Sequence, residues 1–241
     1  MSQQSLKDRV ILVTGASRGI GYASAKALAK AGAHIIATAR TQGGLEDLDD
    51  EIKALGGECT LVPLDIRNFD GIDQLGSIIH ERWGKLDGLF GNAGILGDIT
   101  PAPHTEPKVF DDVFAINMTA NYRLIRSMDS LLRSSDDGRA VFMTSGVATS
   151  RRAYWGAYAA SKAALEAFVQ CYAKEVEVTD LKVNLLNPGG TRTAMRAKAM
   201  PGEDPGSLPN PDDIAPLIVE MLSPDYRKNG EIISYRDWVN A

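Results

Sequence analysis

The amino-acid sequence predicts an α/β fold: a doubly wound parallel sheet with helices on both faces, forming a single domain over residues 1–241. Three observations predict it. Strand-like and helix-like stretches alternate along the chain, which favours a parallel sheet covered on both sides. A β-branched run, Arg9–Thr14, passes straight into a glycine-rich turn and then into the helix-favouring segment Tyr22–Lys30. A chain of 241 residues can bury a substantial core, as α/β domains of this size do.

The first strand feeds Thr14-Gly15-Ala16-Ser17-Arg18-Gly19-Ile20-Gly21. Strand, glycine turn and helix is the context that makes such a motif a phosphate site. Gly15 permits the tight turn, Gly19 lets the backbone approach a pyrophosphate, and Gly21 lets the helix pack against the strand with its N-terminus facing the anion. Ser17 and Ile20 belong to the same cofactor-binding turn, although the spacing is not the common G-x-G-x-x-G. The second strand, His34–Ala39, ends at Arg40. NAD-preferring sites usually carry an acid here for the ribose 2′-hydroxyl. Thr38 and Ala39 are neutral instead, and Arg40 and Arg18 are cationic. Two guanidiniums and no carboxylate suit a 2′-phosphate, so NADP(H) is expected rather than NAD(H). The bland alternative leaves both arginines as solvated surface residues.

A third strand is read at Thr60–Leu64, ending at Asp65 and Ile66, and a fourth at Leu86–Gly91, running into Asn92-Ala93-Gly94. Phe110–Leu132 reads as one long helix containing Asn117. Val141–Ser145 is the fifth strand, Lys182–Leu186 the sixth and Glu231–Tyr235 the last, and Asn210-Pro211 reads as the cap of another helix. Three prolines and two glycines break any long helix between Thr191 and Asn210. Because strand six should end at the carboxyl edge of the sheet, residues 191–211 are expected to form a mobile lid over cofactor and substrate. Thr191 and Thr193 would contact the cofactor there; Trp155, Tyr154 and Leu96 are further pocket candidates.

Tyr158 and Lys162 stand four apart, so one helix face carries both. A phenol has a pKa near ~10, and an adjacent ammonium is expected to lower it, making Tyr158 a general acid/base for a carbinol or carbonyl oxygen. Alone the pair is weak evidence, since about one chain in three with this composition would carry Tyr-x-x-x-Lys by accident. Ser145 strengthens it: a strand-end hydroxyl at the carboxyl edge is placed to bond the same substrate oxygen.

Composition excludes several other classes. Net charge is −5 without a basic tract, so no nucleic acid is expected. No apolar run approaches membrane-spanning length, and the start, Met1 to Lys7, is short and polar, which predicts a cytoplasmic protein. Cys59 and Cys171 are expected to stay reduced, and three isolated histidines predict no metal site. Ala157–Val176 is apolar on most of its circumference, and a sheet covers only one side of a helix. A subunit interface built from this helix and Phe110–Leu132 is therefore expected.

Together these residues resemble the short-chain dehydrogenase/reductase family, from Val10 to the last strand. Thr14 to Gly21 match its T-G-x-x-x-G-x-G motif in full, and Asp65 matches its adenine-side aspartate. Asn92-Ala93-Gly94 match its N-A-G turn, with Gly91 where a further Asn is common. Asn117, Ser145, Tyr158 and Lys162 match its catalytic tetrad, and Pro188, Gly189 and Thr191 its nicotinamide segment. The resemblance implies a Rossmann-type sheet of seven parallel strands, a homodimer or homotetramer, and hydride transfer to or from a small carbonyl or alcohol substrate. It implies that the asparagine holds a proton-supplying water chain, the serine orients the carbonyl, the tyrosine donates the proton, and the lysine also bonds the nicotinamide ribose. Residues around Tyr158 and in Asn187–Met195 resemble a subgroup of poorly characterised bacterial oxidoreductases. Two alternatives stand beside this reading: a catalytically idle nucleotide sensor or scaffold, and a 3-oxoacyl carrier-protein reductase using Arg133 and Lys174 to meet an acidic carrier.

Overall fold

The computed structural model describes residues 5–241; residues 1–4, part of the polar Met1–Lys7 segment, lie outside the described residues. In chain order the elements are β1 (Val10–Thr14), α1 (Gly19–Lys30), β2 (His34–Ala39), α2 (Gln42–Ala54), β3 (Glu58–Pro63), α3 (Phe69–Trp83) and β4 (Gly88–Gly91). There follow α4 (Pro107–Phe114) and α5 (Ala120–Arg133), β5 (Arg139–Met143), α6 (Val147–Ser150), α7 (Gly156–Glu175) and β6 (Lys182–Asn187). The chain ends with α8 (Ala194–Ala199), α9 (Pro211–Met221), β7 (Ile232–Ser234) and α10 (Tyr235–Val239).

The seven strands form one parallel sheet in the order β3-β2-β1-β4-β5-β6-β7. β1 shows why both faces are covered. Its side chains alternate, so Val10 and Leu12 enter the core under α3, α5 and α7, while Ile11 and Val13 enter the core under α1, α2 and α9. Each fully buried aliphatic side chain stabilises the fold by about 1.5–3 kcal/mol relative to exposure. Strand order reverses direction between β1 and β4, which opens a crevice at the carboxyl ends of the central strands.

Element boundaries differ from the sequence reading by small steps with identifiable causes. β5 lies two residues earlier than Val141–Ser145, because Arg139 begins it fully buried. Its Nη1 and Nη2 donate to the carbonyls of Gly138, Asp180 and Pro224, so a charge that reads as a loop residue is held inside, with Nε left without a partner among the described residues. β4 starts at Gly88 rather than Leu86, β3 spans Glu58–Pro63 rather than Thr60–Leu64, and β7 is the shorter Ile232–Ser234. Asn210 does open α9: its backbone N–H donates to Asp213 Oδ2 at 2.7 Å, with Pro211 in the first turn.

The expected long helix Phe110–Leu132 is interrupted. Residues Ala115–Thr119 form a π-helical turn between α4 and α5, centred on Asn117. π turns inside α-helices often mark functional positions.

Candidate active site

The crevice is a cleft of about 780 Å³ above the carboxyl ends of β1, β2, β4, β5 and β6. All the expected site residues line it except Gly21 and Asn117, which stand directly behind its wall. Gly21 shows how tightly the phosphate turn is built. A Cβ there would lie 2.4 Å from the Gly15 carbonyl oxygen, so only glycine lets α1 start this close to β1. Gly15 and Gly19 adopt φ of +67° and +59°, the left-handed region in which a side chain is strained. Thr14, wholly buried, ties the turn to the next wall: its Oγ1 accepts the N–H groups of Asn92 and Ala93, both at 3.0 Å. Bare backbone, glycine clearance and a helix N-terminus together fit a pyrophosphate.

At the far end of the cleft Arg18 and Arg40 are exposed and, among the described residues, neither forms an ion pair. Asp65 is different. Its carboxylate accepts from Arg67 Nη2 at 2.7 Å and from the Arg67 backbone N–H at 3.0 Å, and Arg67 also reaches Asp112 at 3.2 Å. The Arg67 guanidinium holds the Asp65 carboxyl below the usual carboxylate range. Sequence reasoning did not select Thr38, yet it is 1 % exposed, lines the cleft, and its hydroxyl has no hydrogen-bond partner among the described residues. The signal was present: Thr38 sits in the strand whose end was searched for a carboxylate.

Asn117 is held by its own side chain. Its Oδ1 accepts from Ile95 N–H at 2.9 Å, and its Nδ2 donates to the Ile95 carbonyl at 2.9 Å and to Ser161 Oγ at 3.0 Å. The widened turn frees the Asn117 carbonyl, which accepts from Asn121 Nδ2 at 2.8 Å. One residue thus joins the loop after β4 to α7.

Ser145 lies two residues beyond β5 and meets Tyr158 and Lys162 at the floor of the cleft. Lys162 is 2 % exposed and donates from Nζ to the Met143 carbonyl at 2.7 Å. The expectation that Lys162 lowers the Tyr158 pKa is corrected here. Burial raises the Tyr158 phenol above its ordinary value, with the Ser145 hydroxyl acting in the opposite direction. Burial also acts on the lysine, pushing it down to about 8 against the attraction of Glu166. Tyr158 is therefore protonated at neutral pH, as a proton donor must be.

The substrate end is walled by Leu96, Val109, Trp155, Met195 and Ala199. Trp155 is 7 % exposed and sits edge-on to Tyr158 at 6.1 Å between ring centroids. Tyr154 does not join it; that side chain is 60 % exposed. Within residues 191–211 only Thr191 to Ala199 face the cleft, and the segment contains the short helix α8, capped by Thr193 Oγ1 accepting from Arg196 N–H at 3.1 Å. Lys198, unnoticed in the sequence, crosses the mouth to donate to the Gly97 carbonyl at 3.1 Å, with Asp98 at 3.7 Å. Arg133 and Lys174 close the C-terminal ends of α5 and α7, at the edge of the sheet away from the cleft, and Arg133 is bonded to Asp129 at 2.8 Å. Among the described residues no helix is long and apolar enough to cross a membrane, and no cluster of metal-ligating side chains is present.

The family described as short chain dehydrogenase matches residues 9–204. An uncharacterised oxidoreductase of Escherichia coli K12, YciK, is 42 % identical over 229 residues, 94 % of this chain and 90 % of that one. A short chain dehydrogenase from Shigella flexneri 2a, solved in complex with NADP, superposes with a TM-score of 0.94 at 41 % identity, covering 98 % of this chain and all of that one. Another from Escherichia coli CFT073, in complex with NADPH, gives 0.91 at 40 % identity over 97 % and 99 % of the two chains. The chain belongs to the short-chain dehydrogenase family.

Proposed function

We propose that this short-chain dehydrogenase is an NADP(H)-dependent oxidoreductase that reduces a small carbonyl substrate, with Tyr158 as the proton donor. The observation that carries the reading is the meeting of Ser145, Tyr158 and Lys162 at the floor of one cleft, with Tyr158 raised in pKa by burial. Ser145 and Tyr158 present two hydroxyls to one substrate oxygen. Both favour the charge that develops on that oxygen, and the Tyr158 proton neutralises it. Lys162 stabilises the phenolate left behind and passes a proton back from the Asn117 side. Trp155, Leu96 and Val109 exclude water from this end.

A bound NADPH supplies the hydride. The backbone of Gly15 to Ile20 would hold its pyrophosphate, and Arg18, Arg40 and Thr38 its 2′-phosphoribose. Support for NADP over NAD comes from these cationic groups, from the neutral Ala39, and from the relatives solved with NADP and NADPH. Residues 191–211 act as the lid, with Lys198 bridging to Gly97 as its closing contact. The complete set of Asn117, Ser145, Tyr158 and Lys162 counts against an idle sensor. In the test, purified protein is given NADPH and a panel of aldehydes and ketones, and cofactor consumption is followed. Turnover of at least one carbonyl supports the reading; no turnover with measurable NADPH binding favours the sensor.

A further inference from the structure

Met143, the last residue of β5, and Thr144 and Ser145 after it face three residues spaced four apart on α7. The Met143 carbonyl accepts from Lys162 Nζ at 2.7 Å, Thr144 Oγ1 donates to Glu166 Oε1 at 2.6 Å, and Ser145 lines the cleft with Tyr158. Two of the three α7 residues belong to the proposed chemistry. Glu166, one turn beyond Lys162 on the same helix face, has been given no role.

The contact is built rather than incidental. Thr144 is 1 % exposed, and its backbone N–H donates to the Leu186 carbonyl at 2.8 Å, so β6 fixes the residue that orients Glu166. Glu166 itself is half-buried. Lys162 is almost fully withdrawn from solvent, and it donates a hydrogen bond to a neutral carbonyl. A buried ammonium without a nearby anion gives up its proton, because burial in a low-dielectric interior penalises the charged form. From β5 this group faces the Met143 carbonyl, and from the loop after β4 it faces Gly94. A Cβ on Gly94 would stand 3.7 Å from Nζ and 3.3 Å from Asn117 Oδ1. None of these titrates. Among the described residues the titratable groups around it are Tyr158 and Glu166, both on α7, and the Glu166 carboxylate is the one whose charge favours the ammonium.

We propose that Glu166, oriented by the Thr144 hydroxyl, is a positioning residue that keeps the buried Lys162 ammonium charged. The assignment rests on the reading of Lys162 as the cation that meets the cofactor. Without the carboxylate, Lys162 deprotonates at lower pH, and the charge that stabilises the phenolate and strengthens the bond to the cofactor is lost.

The test is the pH dependence of NADPH affinity in the full chain, read by quenching of tryptophan fluorescence without any turnover. Wild-type Kd is expected to weaken as pH rises through the Lys162 pKa, and Lys162→Met to abolish that titration. Glu166→Gln is expected to move the midpoint down by about one pH unit or more, and Glu166→Asp to return it toward wild type. A Glu166→Gln midpoint equal to that of wild type overturns the assignment while leaving the lysine reading intact. A titration that survives in Lys162→Met overturns the lysine reading and the assignment with it. Should Glu166→Gln not fold, Thr144→Val decides: a lowered midpoint supports the assignment and an unmoved one overturns it.

Discussion

Lys162 donates its ammonium to the carbonyl of Met143, 2.7 Å away, from a position only 2 % exposed. This bond aims the lysine along the carboxyl edge of β5, beside the residue expected to move the proton. Replacing Lys162 by Ala removes the cation and leaves the Met143 carbonyl without that donor. Turnover is expected to fall by ~10² or more, and NADPH affinity to fall with it. Since burial lowers Lys162 to about 8, kcat/KM for reduction should decline above that pH as the ammonium is lost. Flat kcat/KM through that range contradicts the assignment.

Cofactor choice follows from Arg18 and Arg40 at the far end of the cleft. Arg40→Asp replaces a charge-assisted phosphate contact by repulsion, so NADPH binding should weaken by about 2–3 kcal/mol while NADH is much less affected. The measurement is kcat/KM for both cofactors with one substrate. Equal values in the wild type, or a preference for NADH, contradict the NADP reading.

Asn117→Ala strips three hydrogen bonds from the junction between the loop after β4 and α7. The freed Ile95 groups are expected to cost about 1–3 kcal/mol. Thermal unfolding should show a drop in Tm of about 2–4 °C per kcal/mol for a domain of this size, together with reduced turnover.

The lid is tested at Lys198, whose bond to Gly97 spans the mouth of the cleft. Hydrogen exchange across residues 191–211 should slow when NADPH binds, and Lys198→Ala should recover part of the fast exchange. A segment that exchanges identically with and without NADPH is a fixed connector.

Assembly is tested on the outward side of α7. Ala160, Ala163 and Ala167 are exposed there, and Phe168 packs edge-on to Tyr122 of α5 at 5.7 Å. Such a face suits close helix packing against a second copy. Light scattering should report a dimer or tetramer for the wild type and a smaller species for Ala167→Glu. A wild-type monomer at micromolar concentration rules the interface out.

Much of this site is legible in the sequence because its chemistry is local. The turn from Thr14 to Gly21 is read from glycines whose roles are set within eight residues, and Tyr158 and Lys162 are read from their helical spacing taken together with that turn and with Ser145. What escaped depends on distant partners. Arg139 starts β5 only because carbonyls 41 and 85 residues away receive its guanidinium. Lys198 closes the cleft on a carbonyl 101 residues earlier. The π turn escaped because α4 before it is only Pro107–Phe114, too short to fix the phase of an apolar stripe that one extra residue rotates by about 100°. The pKa of Tyr158 came out with the opposite sign because burial, which sequence spacing does not reveal, acts more strongly on the phenol than any neighbour does.

The central claim, that Tyr158 gives its proton to the substrate oxygen, is tested most directly by single-turnover reduction in Tyr158→Phe. The substitution removes one hydroxyl and keeps the ring against Trp155, so folding and NADPH affinity should match the wild type. The account predicts a loss of ~10² or more in the rate of carbonyl reduction with cofactor binding unchanged. A Tyr158→Phe enzyme that reduces its substrate at the wild-type rate contradicts it.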